Sequence, residues 1–274
     1  MKSMAIGVIT SLGQDPGAAL RRVKDMGIHT VQLSSPSDEL LKPWRAEELR
    51  RTAEALGIEI TTVFCGYSGE SYADVPTIRR TVGLVNPELR EVRVQRTFRI
   101  SDFAKTLAVD RIAAHVGFIP DDERDPAYSG LVEVVRRIAD HCAANDQSFC
   151  LETGQEPART LFRFIKDVAR PNIKVNFDPA NMVLYGSDDP LEALELLAKY
   201  VVGVHCKDGK WPTKPSVLGH ETPLGEGDVN IKAFIEKLKE IGYEGPLTIE
   251  REIAGEEQRR DILKAKEQLE RLRG

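Results

Sequence analysis

An alternation constrains this chain more than any other feature: short apolar runs of strand composition are separated by amphipathic stretches of helical period, eight times over. The runs are 5–10 (AIGVIT), 30–35 (TVQLSS), 59–65 (EITTVFC), 111–118 (RIAAHVGF), 147–153 (QSFCLET), 173–178 (IKVNFD), 201–207 (VVGVHCK) and 246–251 (PLTIER). Helical period shows in AALRRVKDMG, AEELRRTAEALG, LVEVVRRIADHCAAN and IKAFIEKLKEIG, which lead into the second, third, fifth and eighth runs. Parallel strands need a long crossover, which a helix supplies, so strict alternation predicts an α/β protein with a parallel sheet. Eight units in 274 residues predict closure into a single (β/α)8 TIM barrel spanning 1–274, because about 250 residues is typical of that architecture. Gly27, Gly57 and Gly242 follow their helices, where a left-handed cap is expected.

Two connections are longer than the rest, roughly 66–95 and 208–228. The second carries Gly209, Trp211, Pro212, Pro215, Gly219, Pro223, Gly225 and Gly227. Both follow strands and so belong to the barrel face that carries chemistry, where they are expected to wall or cover a pocket.

Composition removes several functional classes. The formal net charge is −5, and basic residues are interspersed with acids along helices such as 259–273, whereas binding to a phosphate backbone calls for clustered Lys and Arg. The apolar run near the start, AIGVIT, is too short for a signal-peptide core, and no stretch reaches bilayer-spanning length. A cytoplasmic location, no membrane and no nucleic-acid partner are therefore expected, and a homo-oligomer is compatible with the sequence. Cys65, Cys142, Cys150 and Cys206 form no C-x-x-C pair and read as reduced, mostly core thiols. No P-loop or G-x-G-x-x-G pattern points to a nucleotide cofactor.

Four ligand-type residues close the last four runs: Glu152, Asp178, His205 and Glu250. Strand side chains alternate between faces, so the set is tested by parity. Glu152 shares a side with Cys150 and Ser148, Asp178 with Asn176, His205 with Gly203, and Glu250 with Thr248, opposite the bulky Phe149, Leu151, Val175, Phe177, Val202, Val204, Leu247 and Ile249. All four are predicted to point into the barrel at one end. Three carboxylates so close repel one another in a low-dielectric pocket unless a cation neutralises them. One divalent ion meets that need, and mixed oxygen and imidazole donors suit Mn, Mg, Co, Fe or Zn. An acid at a strand end also serves as the N-cap of the next helix, and for each acid alone that ordinary reading stands beside the metal reading.

With this series in hand, the chain resembles the xylose isomerase-like barrel superfamily, which includes tagatose and psicose 3-epimerases, inosose dehydratases and endonuclease IV. The resemblance covers nearly the whole chain. It rests on Glu152, Asp178, His205 and Glu250, on the H-x-K-D string of His205, Lys207 and Asp208, and on the G-E-G of Gly225, Glu226 and Gly227. It implies a metal held by those four residues and a sugar substrate flanked by two catalytic glutamates, Glu152 and Glu250, one removing a proton beside a carbonyl and the other returning it through an enediolate. On the same basis His115, Asn181, Lys207 and Glu226 are substrate-binding candidates. Lys207 and Asp208 alternatively pair with each other at the rim, Glu226 alternatively sits in a plain turn, and Gln155 and Glu156 either meet substrate or cap the next helix.

One departure narrows the reading. Several relatives carry histidine three residues after the strand-six aspartate, and this chain has Asn181 there. Asn bonds a hydroxyl well but is a poor ligand for further ions, which disfavours the trinuclear endonuclease chemistry. The favoured function is a single-metal sugar isomerase or epimerase. The rivals are a lyase acting on inosose or 3-keto-glycosides through the same proton abstraction, and a non-catalytic sugar-binding barrel.

Overall fold

In the computed structural model, which describes residues 4–214 and 217–274, eight strands pair side by side into a closed parallel barrel. They are β1 (Ile6–Ser11), β2 (Thr30–Ser34), β3 (Glu59–Phe64), β4 (Arg111–Ala114), β5 (Ser148–Glu152), β6 (Ile173–Phe177) and β7 (Val201–Cys206), then, after an antiparallel hairpin of β8 (Asp208–Lys210) and β9 (His220–Thr222), β10 (Leu247–Ile249). Pairing of β10 with both β7 and β1 closes the ring. Each of the eight predicted runs holds one barrel strand. Pro215 lies outside the described residues.

The helices are α1 (Pro16–Asp25), α2 (Pro43–Leu56), α3 (Val75–Thr81), α4 (Pro87–Thr106), α5 (Pro126–Ala144), α6 (Ala158–Val168), α7 (Pro179–Tyr185), α8 (Pro190–Leu197), α9 (Ile231–Glu240) and α10 (Gly255–Arg273). Asp15, Asn86, Asp125, Asp178 and Asp189 each precede a proline that opens a helix, and each side chain accepts a first-turn backbone N–H. Proline lacks the N–H that would go unpaired there, and the cap satisfies one that remains. Gly57 ends α2 in the left-handed region, and Gly27 and Gly242 adopt positive φ as expected.

The reading of 66–95 as one long connection is corrected: it holds α3, and α4 already begins at Pro87. Helical period is masked in α4 because its buried side includes Arg93, Thr97 and Ser101. Their polar groups are paired internally: Arg93 bonds the Thr81 carbonyl at 2.7 Å, Thr97 the Tyr67 hydroxyl at 2.8 Å, and Ser101 the Gln147 amide oxygen at 2.6 Å.

The main core lies between barrel and helices. Phe149, Leu151, Val175, Phe177, Val204, Leu247 and Ile249 face outward at 2% exposure or less and pack with helical residues such as Leu20, Phe164 and Phe234. Each such side chain contributes roughly 1.5–3 kcal/mol by leaving water. A smaller group, Phe64, Ala113 and Cys150 with Ile9 and Val202, packs separately. Alternation assigns Val202 to the helical side, but the β6–β7 register shifts between Val175 and Asn176, and Val202 joins that separate group. All four cysteines are free and buried. Among the described residues no helix is long and apolar enough to cross a membrane.

Candidate active site

Glu152 ends β5, Asp178 follows β6, His205 lies within β7 and Glu250 follows β10. One ligand atom from each lies within 4.8 Å of all the others. The His205 Nδ1 atom is 2.9 Å from Glu152 Oε1, 3.0 Å from Glu250 Oε2 and 3.4 Å from Asp178 Oδ2. Ligand bonds of about 2.1 Å at tetrahedral or octahedral angles place neighbouring donor atoms about 3.0–3.4 Å apart, so the spacing matches one coordination sphere.

The far side of the imidazole shows what Nδ1 is for. His205 Nε2 meets Gln32 Oε1 at 2.8 Å, and Gln32 Nε2 donates to Asn176 Oδ1 at 3.1 Å. With its amide N–H committed to Asn176, Gln32 offers His205 only an acceptor, which keeps a proton on Nε2 and leaves Nδ1 as the ring atom available to a metal. Nδ1 faces the three carboxylates, and Glu152 Oε2 and Asp178 Oδ2 are buried and unpartnered. Four ligand atoms converging on one point fit a cation, which would take the place of the proton that the carboxylates otherwise draw to Nδ1. Gly203 is required beneath this chain, because a Cβ there would stand 2.4 Å from Asn176 Oδ1.

Asp178 serves both roles foreseen for a strand-end acid. Its Oδ1 caps α7 by accepting the Asn181 N–H at 3.0 Å, while Oδ2 turns to the cluster. Without a cation, burial raises the Asp178 pKa despite the opposing Lys207 ammonium. Burial opposes the His205 imidazolium, but the Glu152 and Glu250 carboxylates raise its pKa well above the ordinary value. Burial alone would raise Glu250, yet Lys207 and His205 hold it well below the usual carboxylate range. Lys207, 2% exposed, stays charged because Glu250, Asp178 and Glu252 outweigh its burial. One divalent ion together with this ammonium would balance the three carboxylates.

Lys207 donates to Glu252 at 2.8 Å, Glu250 at 3.2 Å and Asn181 Oδ1 at 3.2 Å. It thus joins two of the sequence-derived candidates beside the cluster. A Lys207–Asp208 pair is not formed. Asp208 instead accepts the backbone N–H groups of Gly209, Gly225, Gly227 and Val229 at 2.9–3.1 Å and pins the long loop. That accounts for the G-E-G string: a Cβ at Gly227 would stand 1.9 Å from Asp208 Oδ1. Glu226 itself is exposed and makes no side-chain hydrogen bond or ion pair among the described residues, so the structure does not bring it to the cluster. His115 lies one residue past β4, beside the Tyr72 ring at 6.0 Å, with a buried and unpartnered Nδ1. Glu156 is buried, which pushes its carboxyl up to about 8, and Gln155 is buried with its Nε2 unpartnered.

Sequence reasoning passed over Gln32, Asn176, Glu252 and Phe64, whose ring stacks on His205 at 5.3 Å. For Gln32 a signal exists: a lone amide inside an apolar strand, TVQLSS, has to find a partner in the barrel.

Known proteins share this fold. A family model described as Xylose isomerase-like TIM barrel matches residues 20–273. A crystal structure of a xylose isomerase domain protein from Planctomyces limnophilus is 44% identical, covers 99% of this chain and 98% of its own, and superposes with a TM-score of 0.95. A D-tagatose 3-epimerase-like protein, 20% identical over 98% of this chain and 97% of its own, superposes with a TM-score of 0.76 and shares the fold. An uncharacterized protein of Methanocaldococcus jannaschii is 28% identical over 67% of this chain, a match that spans 63% of its own length.

Proposed function

The chain belongs to the xylose isomerase-like TIM barrel family, and from that premise we propose that it is a divalent-metal-dependent isomerase or epimerase moving a proton beside the carbonyl of a keto-sugar or related polyol. The observation that carries this reading is the His205 Nδ1 atom, aimed by Gln32 at three carboxylate oxygens. Glu152, Asp178, His205 and Glu250 would hold the ion, one of Mn, Mg, Co, Fe or Zn. Bound there, it would act as a Lewis acid that lowers the energy of negative charge developing on substrate oxygens.

The chain's own groups handle the proton. Glu152 and Glu250 come from strands separated by β6 and β7 in the barrel order, and so approach a substrate from different sides. Glu152 keeps a buried oxygen, Oε2, without a partner, open to take a proton from carbon. Glu250, ionised beside Lys207, is set to exchange one on the other side. Lys207, whose three N–H donors go to Glu252, Glu250 and Asn181, keeps a positive charge beside the site that favours the enediolate electrostatically, and Asn181 and His115 bond substrate hydroxyls. The partner is a small sugar and the setting the cytoplasm.

Elemental analysis of the protein as purified, with a screen for deuterium uptake from D2O into 3-keto-glucose, inosose and free ketoses, tests the reading. One divalent ion per chain and uptake at constant mass are expected, whereas loss of water or of a substituent identifies the lyase that shares the first step. Glu152→Gln and Glu250→Gln should abolish uptake, and Asn181→Ala should mainly weaken substrate binding. Equal uptake in all three variants, or no metal and no uptake with any substrate, overturns the proposal.

A further inference from the structure

A cavity of about 630 Å³ opens on the barrel face that carries the cluster, walled by segments that follow β3 through β7. Gln155, three residues after Glu152 in the chain, is among its lining residues. Its chemistry differs from that of the cluster. The protein carries 43 acidic and 38 basic residues, yet no Asp or Glu is among the described residues lining this cavity, while Arg79 and Lys214 are. Neither cation has an ion-pair partner among the described residues. Arg79 is laid across the Phe118 ring at 3.8 Å, and Phe118 meets Tyr185 edge-on at 5.7 Å. Stacking of this kind holds the guanidinium plane while leaving its N–H edge open.

Gln155 supplies an independent pointer. It is 5% exposed, lines the cavity, and keeps its buried Nε2 without a partner. A buried N–H left unpaired is destabilising, and an acceptor that enters removes that cost. Trp211, 39% exposed at the rim, adds a flat apolar wall.

We propose that this cavity binds an oxyanion, a carboxylate or phosphate ester, carried by the substrate at the end remote from the reacting carbonyl, with Arg79, Lys214 and Gln155 Nε2 as donors. Arg and Lys with an amide N–H form a donor set matched to acceptor-rich, negatively charged groups. The inference rests on the isomerase reading for the word substrate, while the anion preference is a property of the cavity alone.

Calorimetric titration of the full chain at low ionic strength with D-ribulose 5-phosphate, 5-keto-D-gluconate and D-fructose tests it. At least one anionic probe should bind tenfold or more tightly than D-fructose, and the tighter of the two identifies phosphate or carboxylate. The Arg79→Met/Lys214→Met double variant, altered only at exposed positions, should erase that preference while Tm and manganese affinity stay at wild-type values. Gln155→Leu should reduce it several-fold. Anionic probes that bind no better than D-fructose, or a preference that survives the double variant, overturn the proposal. Deuterium uptake into neutral ketoses without anion preference would sink this site and leave the isomerase reading standing; anion preference without uptake into any probe would do the reverse.

Discussion

Gln32→Leu separates a tuned metal site from a chance gathering of acids. The substitution keeps nearly the same shape at a position 2% exposed, and removes both the acceptor for His205 Nε2 and the donor to Asn176 Oδ1. Freed of Gln32, the imidazole can carry its proton on Nδ1, where the carboxylates 2.9–3.4 Å away welcome it and where it blocks a metal ligand. Loss of such an outer partner typically costs 10–100-fold in metal affinity, or about 1.4–2.7 kcal/mol. Competition between the protein and a chelator for Mn2+ reads that ratio directly, and 15N spectra of the imidazole report the tautomer. Gln32→Glu, which retains an acceptor for Nε2, should hold or improve the affinity. A Gln32→Leu protein within twofold of wild type, with its ring proton still on Nε2, would refute the assignment of Nδ1 as a ligand atom.

Three further outcomes follow from the geometry. Glu156 is buried with its carboxyl pushed from 4.5 up to about 8, so the folded state holds a proton the unfolded state has released; stability falls as pH rises from about 4.5 to about 8, by roughly 5 kcal/mol in full, and Glu156→Gln should flatten that slope in urea titrations. Gly227→Ala places a Cβ 1.9 Å from Asp208 Oδ1 and should release the loop, seen as faster limited proteolysis between 209 and 228 with barrel stability little changed. In the metal-stripped protein His205 is raised well above its ordinary value, so its contribution is complete below about pH 6.5 and is lost as pH rises through the elevated value; Mn2+ at 100 times its Kd should restore about 2.7 kcal/mol at alkaline pH, measured as Tm.

What the sequence displayed, and what it hid, divides along chain distance. The eight strands and the inward set of Glu152, Asp178, His205 and Glu250 were legible because period and parity are local properties, each read within a few residues. Helix α4 was half hidden because its buried face uses Arg93, Thr97 and Ser101, so apolar period alone misses it. The G-E-G string was legible as a motif, but its meaning lies in Asp208, which collects backbone N–H groups up to 21 residues away. Least legible was the Gln32 chain, whose two bonds span 144 and 173 residues, because no periodicity links positions so distant.

The same distances carry a physical consequence. Gln32 stands on β2 and its partners on β6 and β7, so the bonds that aim Nδ1 exist only when side chains from separate parts of the ring meet inside it. The ligand carboxylates could gather in a partly formed sheet of β5 to β10, but the proton on His205 would remain unassigned until β2 arrives. A segment lacking β1 and β2 would therefore hold the four ligands without the tautomer that makes them a set, and tight metal binding should appear only with closure of the barrel.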